Sequence, residues 1–383
     1  MISFYATDDE QAFIEIAKSF AMDRVRPEAR VCEQNRSVSA DILKKVDELG
    51  FNVLELPESW GGLELPLISQ VQILQALSYG DIGVVQGLTG AGDTASLIRL
   101  IPEHSALQSY KREGLGRHSW PSAAFLDHTD TEDPWTAKLE MIPNDSGYLL
   151  NGISKPARLA TTAEYVAVAG KDTQGESVIL WLDNQKWQVE EGDYRLGLLA
   201  CGLGRLHFSQ LSVSHDQVIA RGAEAESLIA RLQNRILVLQ GSKEVGLMDA
   251  ALEYATEYTA GRKAFGQEIA KFQGVSFTIA DMAFERQASR NLVYQAATKV
   301  DDEKEDASGY VLRAIYRTHR SVRFVTDSAV QLLGGHGFVQ EFPVEKWMRD
   351  AEAQVMLYGR EKALLLRRGQ QIMNVDARSG VAK

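Results

Sequence analysis

The sequence predicts a mainly α-helical protein with a β domain at its centre, and three observations carry that prediction. Apolar residues recur three or four apart from Thr7 to about Leu115. Short β-branched runs between Gly, Asn and Asp turns replace that spacing from about Trp120. The helical spacing returns after about Gly222 and holds to Met373. The implied domains are a helical one over 1–118, a strand-rich one over 119–222 and a helical bundle over 223–383, with no internal repeat.

In the first domain, "FIEIAKSFAMDRV", "ADILKKVDELGFNVLEL" and "LISQVQILQALSYG" are each spaced as amphipathic helices, and "PESWGG", Pro57 to Gly62, is a loop by its Pro and Gly content. In the second, "YLLNGI", "EYVAVAGK", "ESVILWLD" and "LHFSQLSVS" alternate or run short and β-branched, as strands do. The third opens with "LIARLQNRILVLQGSKEVGLMDAALEYATEYTAG" and continues through "FQGVSFTIADMAFERQASRNLVYQAATKV" and "GYVLRAIYRTHRSVRFVTDSAVQLLGG". These helices are apolar over more than one stripe, as a helix is when it packs against several neighbours. The charge-dense "DDEKEDASG", Asp301 to Gly309, reads as the loop between two of them. "VMLYGREKALLL", Val355 to Leu366, reads as an apolar helical run holding one acid, Glu361.

Composition bounds the function. With 383 residues, 45% apolar and 24% charged, the chain is an ordinary folded globular protein. A net charge of −11 argues against nucleic acid, whose binding draws on Lys and Arg displacing counterions. The two cysteines, Cys32 and Cys201, have neither disulfide-framework nor zinc-ligand spacing. The start "MISFYATDDEQAF" turns acidic at once, unlike a signal peptide, and no run approaches the ~18 apolar residues of a membrane span. The expectation is a cytoplasmic protein with no membrane partner.

Two stretches are far more specific. "GRKAFGQEIAKFQGVSFTIADM", Gly261 to Met282, and "AVQLLGGHGFVQEFPVEKWMRDAEA", Ala329 to Ala353, resemble the two signature segments of the acyl-CoA dehydrogenase family. "ELGFNVLELPESWGGLELPLISQVQILQALSYGDIGVVQGL" resembles its N-terminal helical domain, and "YLLNGISK" its "YxLNGxK" turn, with Ser154 at the Lys position. Either signature alone reads as a helix-ending turn or a C-cap loop. Together, in the family's order and spacing, they carry the resemblance over nearly the whole chain.

The resemblance implies an FAD-dependent fold with an N-terminal helical domain, a middle β-barrel domain and a C-terminal four-helix bundle that mediates tetramer assembly, FAD lying across a subunit interface. Arg262 and Phe265, with Gln331, Gly334 and Gly335, match positions that reach the FAD bound mainly by the neighbouring subunit. Arg offers a planar donor fork to a pyrophosphate, and glycines let backbone approach a ligand closely. His336 could be proposed as an acid/base, but it matches a variable loop position and reads as structural.

Against the family pattern, the chain departs at both base positions and at both flavin-ring segments. Where most members carry the base as the Glu of "YEGT", this chain has Tyr358, Gly359, Arg360 and Glu361, so Gly359 stands at the base position. Two residues along a helix turn by about 200°, so Glu361 substitutes only if the local backbone is not helical. The alternative base site on an earlier helix falls at Ile236, beside Arg235 and Leu237. Where the family has "TEPxxGSD" this chain has Leu126 to Trp135, and where it has "WIT" it has Pro156, Ala157 and Arg158. In the family those residues hold and cover the flavin ring.

The resemblance and its departures together imply a subunit of a heteromeric α2β2 acyl-CoA dehydrogenase that shares FAD with a paralogous, Glu-bearing partner, acts on a bulky acyl-CoA such as a steroid side-chain thioester, and passes electrons to an electron-transfer flavoprotein. One alternative is a self-sufficient flavoenzyme with a displaced base or base-independent chemistry, its candidate acids being Glu244, Asp249, Glu253 and Glu361. Such acids more often decorate a helix face. The other is a flavin-free scaffold, against which the retained neighbour contacts count.

Overall fold

In the computed structural model, residues 7–130, 138–183, 187–191, 195–359 and 361–379 are described. Seven helices come first: α1 (Asp8–Phe20), α2 (Arg26–Asn35), α3 (Ala40–Leu49), α4 (Leu67–Ser78), α5 (Ile82–Gln86), α6 (Ala95–Leu100) and α7 (Gln108–Gly116). Their ends follow local chemistry. Thr7 and Glu10 form a reciprocal capping box on α1, Ser39 and Asp81 cap α3 and α5, and Gly50 ends α3 in the left-handed conformation. The N-terminus of α4 follows Pro66 and has no local side-chain cap; the Leu67 and Ile68 N–H groups donate instead to Asp301, at 2.6 and 3.4 Å.

Two four-stranded sheets follow. One has the order β1 (Ala123–His128), β4 (Tyr165–Lys171), β5 (Ser177–Leu182), β8 (Val218–Arg221), with β1 and β4 parallel; the other has β2 (Leu139–Asn144), β3 (Gly147–Ile153), β7 (Gly204–Ser214), β6 (Gln188–Glu191). Leu126, Val166, Val168 and Leu180 of the first sheet meet Met141, Leu150, Leu206 and Phe208 of the second in one buried cluster. The alternate residues of the first sheet, Tyr165, Ala167, Ala169, Ile179 and Trp181, pack the other way, with helical residues such as Ile98, Tyr110 and Leu232. Burial on both faces explains why "YVAVAG" is a nearly unbroken apolar run.

The chain then becomes helical again: α8 (Gly222–Gly261), a two-residue ladder β9 (Lys263–Ala264) with β10 (Gln267–Glu268), α9 (Gln273–Asp301), α10 (Ala307–Leu333), α11 (Val344–Tyr358) and α12 (Glu361–Ser379). With 40 residues, α8 spans about 60 Å and touches α4, α9 and α10. Gly246 allows its contact with α4, since a Cβ there would stand 2.2 Å from the Gln75 carbonyl oxygen. The order helical, strand, helical is the fold class the sequence predicts. Asp301 departs from the reading as a loop residue: it ends α9 and serves as the distant cap of α4. Among the described residues no helix is long and apolar enough to cross a membrane.

Candidate functional site

The signature segments meet at one exposed corner. Where α8 ends, the Arg262 N–H donates to the Tyr258 carbonyl and the Arg262 carbonyl accepts from Ile269 N–H, both at 2.9 Å, which turns the chain into the β9–β10 ladder. At its tip Phe265 takes φ 53° and is 95% exposed, with the Phe272 ring edge-on beside it at 6.2 Å. Gln331 lies exposed in the last turn of α10. Gly334 follows at φ 58°, ψ −130°, a region open to glycine alone, and a Cβ on either Gly334 or Gly335 would meet nothing within 4 Å. Tyr258 joins the two segments: its hydroxyl lies 2.7 Å from His336 Nδ1 and 3.4 Å from the Leu333 carbonyl oxygen, while His336 stacks on Phe342. His336 therefore positions the loop, and Tyr258 is a contributor that sequence reasoning missed.

The interior is built differently. Ala157 forms a single antiparallel bridge with Gly204, and Arg158 turns inward. Its NH1 donates to Asp93 Oδ1 at 2.7 Å, its Nε to the Gln86 carbonyl at 2.9 Å and its NH2 to the Leu88 carbonyl at 3.4 Å. The Tyr358 hydroxyl donates to the other Asp93 oxygen at 2.9 Å, and Gln240 Nε2 to Oδ1 at 3.0 Å. Asp93 thus joins a strand-domain arginine to α8 and to the end of α11, its side chain only 12% exposed. Beyond it, buried Gln86, Gln240 and Gln354 bond one another, Lys243 Nζ donates to Gln86 Oε1 at 2.9 Å, and Glu244 pairs with His319 at 2.9 Å.

The charges tune one another. Burial opposes the ionised Asp93 carboxyl, yet Arg158 and Lys243, with the Tyr358 hydroxyl, hold it below the usual range. Burial and the neighbouring Asp93 push the Tyr358 phenol well up. Burial, reinforced by the Arg158 charge, pulls Lys243 down to about 7.

The candidate acids are dispersed. Glu361 opens α12 and pairs with Arg323 at 3.3 Å. The helical run expected over Val355 to Leu366 is broken at Gly359, with φ 130° and ψ 124°, so the 200° argument against Glu361 does not apply there. What occupies Glu361 is Arg323. Glu244 is wholly buried against His319, and Asp249 pairs with Arg286 and accepts from Gln75 Nε2. Asp249 and Glu253 line a groove of about 550 Å³ between α1, α4, α8 and α9. At the alternative base position Ile236 is core, and Arg235 grips Glu55 through two nitrogens. Of the ring segment expected over Leu126 to Trp135, residues 131–135 lie outside the described residues; Asp127 and Thr129 accept from Gln233 Nε2 at 2.9 and 2.8 Å.

Asp93 and its glutamine and lysine neighbours were not singled out in the sequence. The available signal was Arg158, because a buried arginine requires an acid. That acid lies in the distant "TGAGDTAS", which has no periodicity of its own.

Comparison with known proteins agrees with both signatures. Residues 7–101 match the family profile of the acyl-CoA dehydrogenase N-terminal domain and residues 233–372 that of its C-terminal domain, between them well over half of the chain. The probable acyl-CoA dehydrogenase fadE25 of Mycobacterium leprae is 25% identical over 347 residues, 88% of each chain. The butyryl-CoA dehydrogenase of Megasphaera elsdenii superposes with a TM-score of 0.84 at 22% identity, over 97% of this chain and 100% of the other. The structure of PigA with FAD and proline superposes with a TM-score of 0.86 at 20% identity, over 97% and 99%.

Proposed function

We propose that this chain, which belongs to the acyl-CoA dehydrogenase family, is the noncatalytic subunit of a heteromeric FAD-dependent member. A paralogous partner carries the catalytic Glu in an α2β2 assembly. The assembly dehydrogenates an acyl-CoA thioester, a steroid side-chain CoA being the bulky class that such assemblies favour, and an electron-transfer flavoprotein takes the electrons.

The observation that carries this reading is the exposed corner. Arg262, Phe265, Gln331, Gly334 and Gly335 stand on the surface, where a ligand held by a neighbouring chain reaches them. They fit FAD: a guanidinium fork suits pyrophosphate oxygens, an exposed ring gives stacking area, and open glycines leave backbone free to approach. FAD in PigA, a chain of the same fold, supports the cofactor class. When bound, FAD supplies the hydride acceptor. This chain's contribution is to clamp its nucleotide end and orient it. Gly359 has no group that takes a proton from a substrate carbon, so abstraction falls to the partner's carboxylate. Glu361 remains tied to Arg323.

Purification of the chain alone, and with the paralogous dehydrogenase, tests this by flavin absorbance and acyl-CoA turnover. Flavin and turnover are expected only in the pair. Stoichiometric flavin with turnover by the chain alone overturns the reading.

A further inference from the structure

We infer that the interior of this chain is closed to a flavin of its own by a clasp of Arg158, Asp93 and Tyr358. The inference rests on the family reading for where the ring would lie, between the segment at Pro156–Arg158 and the segment at Tyr358–Gly359. Those two segments are joined through one carboxylate, with Tyr358 and Arg158 on opposite oxygens at 2.9 and 2.7 Å.

The chemistry does not suit a neutral planar ring or an apolar acyl chain. Three of the carboxylate's roughly four acceptor sites are filled by Arg158, Tyr358 and Gln240. Every nitrogen of the Arg158 guanidinium has a protein acceptor. A ring entering there would separate the ions and leave a charge enclosed without its partner. Behind the clasp, Gln86, Gln354 and Lys243 offer polar groups already committed to one another.

Packing leaves the same impression of a sealed seam. Gly92, at φ 54°, brings the Asp93 loop so close that a Cβ would stand 2.9 Å from Leu159 Cδ1 and 3.0 Å from the Ala123 carbonyl oxygen. At Gly87 a Cβ would stand 2.3 Å from the Ala200 carbonyl oxygen. The chain therefore lies directly on the strand region at both Gly87 and Gly92. The corner with Arg262 faces outward and is untouched by this closure.

Riboflavin, which carries the ring without the nucleotide, is the probe, and quenching of its fluorescence by the full-length chain is the readout. Wild type is expected not to bind. D93A/R158T, which removes both ions and opens the seam, is expected to bind one to one, with a dissociation constant at least ten times below the highest riboflavin concentration at which wild type shows no quenching. One-to-one binding by wild type overturns the inference, as does a folded D93A/R158T that gains nothing. Should D93A/R158T lose its far-ultraviolet circular dichroism, the wild-type titration decides: binding overturns the closure and absence of binding at saturating probe upholds it. The proposed function fails separately, through FAD occupancy of the two-subunit complex that ignores Arg262.

Discussion

At the scale of single residues, what matters is which polar groups are committed. Arg262 is exposed and has no ion partner among the described residues, whereas Arg323 engages Glu361 and Glu352 together. Arg262→Ala is therefore expected to lower FAD occupancy of the two-subunit complex at least tenfold, read by absorbance after gel filtration. Glu361→Gln is expected to leave turnover within about twofold, and a large loss would restore Glu361 as the base. Lys243 gives a prediction in pH. Its folded pKa, lowered to about 7 by burial and by Arg158, lies below the ordinary lysine value of 10.5. Between those values the unfolded chain holds a proton that the folded chain does not, so stability rises with pH above 7 and is reduced below it. Lys243→Met removes this dependence. Between pH 7 and 9, before the Cys201 thiol, pushed up to about 11 by burial, contributes the opposite slope, the wild type should gain up to about 1.4 kcal/mol per pH unit relative to the variant in urea melts. Parallel curves would show that Lys243 stays charged.

Among the elements, caps written locally and caps supplied from far away behave differently. Thr7, Ser39, Asp81 and Gly50 are legible in the sequence because each acts within four residues of its helix end. The cap of α4 is not legible, since Asp301 lies more than two hundred residues from Leu67. Asp301 also touches Arg235 at 3.5 Å, so it links α4, α8 and α9. Asp301→Ala should cost about 1–2 kcal/mol in chemical denaturation, more than an exposed cap, because two N–H groups, one on buried Leu67 and one on half-buried Ile68, lose their acceptor together. A cost near zero would mean that water replaces it. The same contrast applies at Gly359. Apolar spacing carried the helix from Val355 through Leu366, but a φ of 130° breaks it. A single glycine in a long apolar run does not announce a break, because periodicity reports faces and not backbone dihedrals.

For the whole molecule, the proposed assembly is a matter of stoichiometry: co-purified with its partner, the chain should give a mass of two copies of each subunit and one FAD per pair. Two FAD per pair, or a homotetramer active alone, contradicts it. The sequence by itself determined the order of helical and strand regions and the family, and it singled out the residues that the structure exposes at the outer corner. Those properties are written as spacing and as contiguous motifs, and Arg262 to Phe265 and Gln331 to Gly335 are each short enough to be read in place. Only the tertiary structure decided what fills the interior. Arg158, Asp93, Gln240 and Tyr358 come from four separate stretches, and their pairing is fixed by packing that brings 65 to 265 residues of separation down to hydrogen-bond length. A buried charge is satisfied by whichever group the fold delivers to it, and no local pattern in the chain records that meeting.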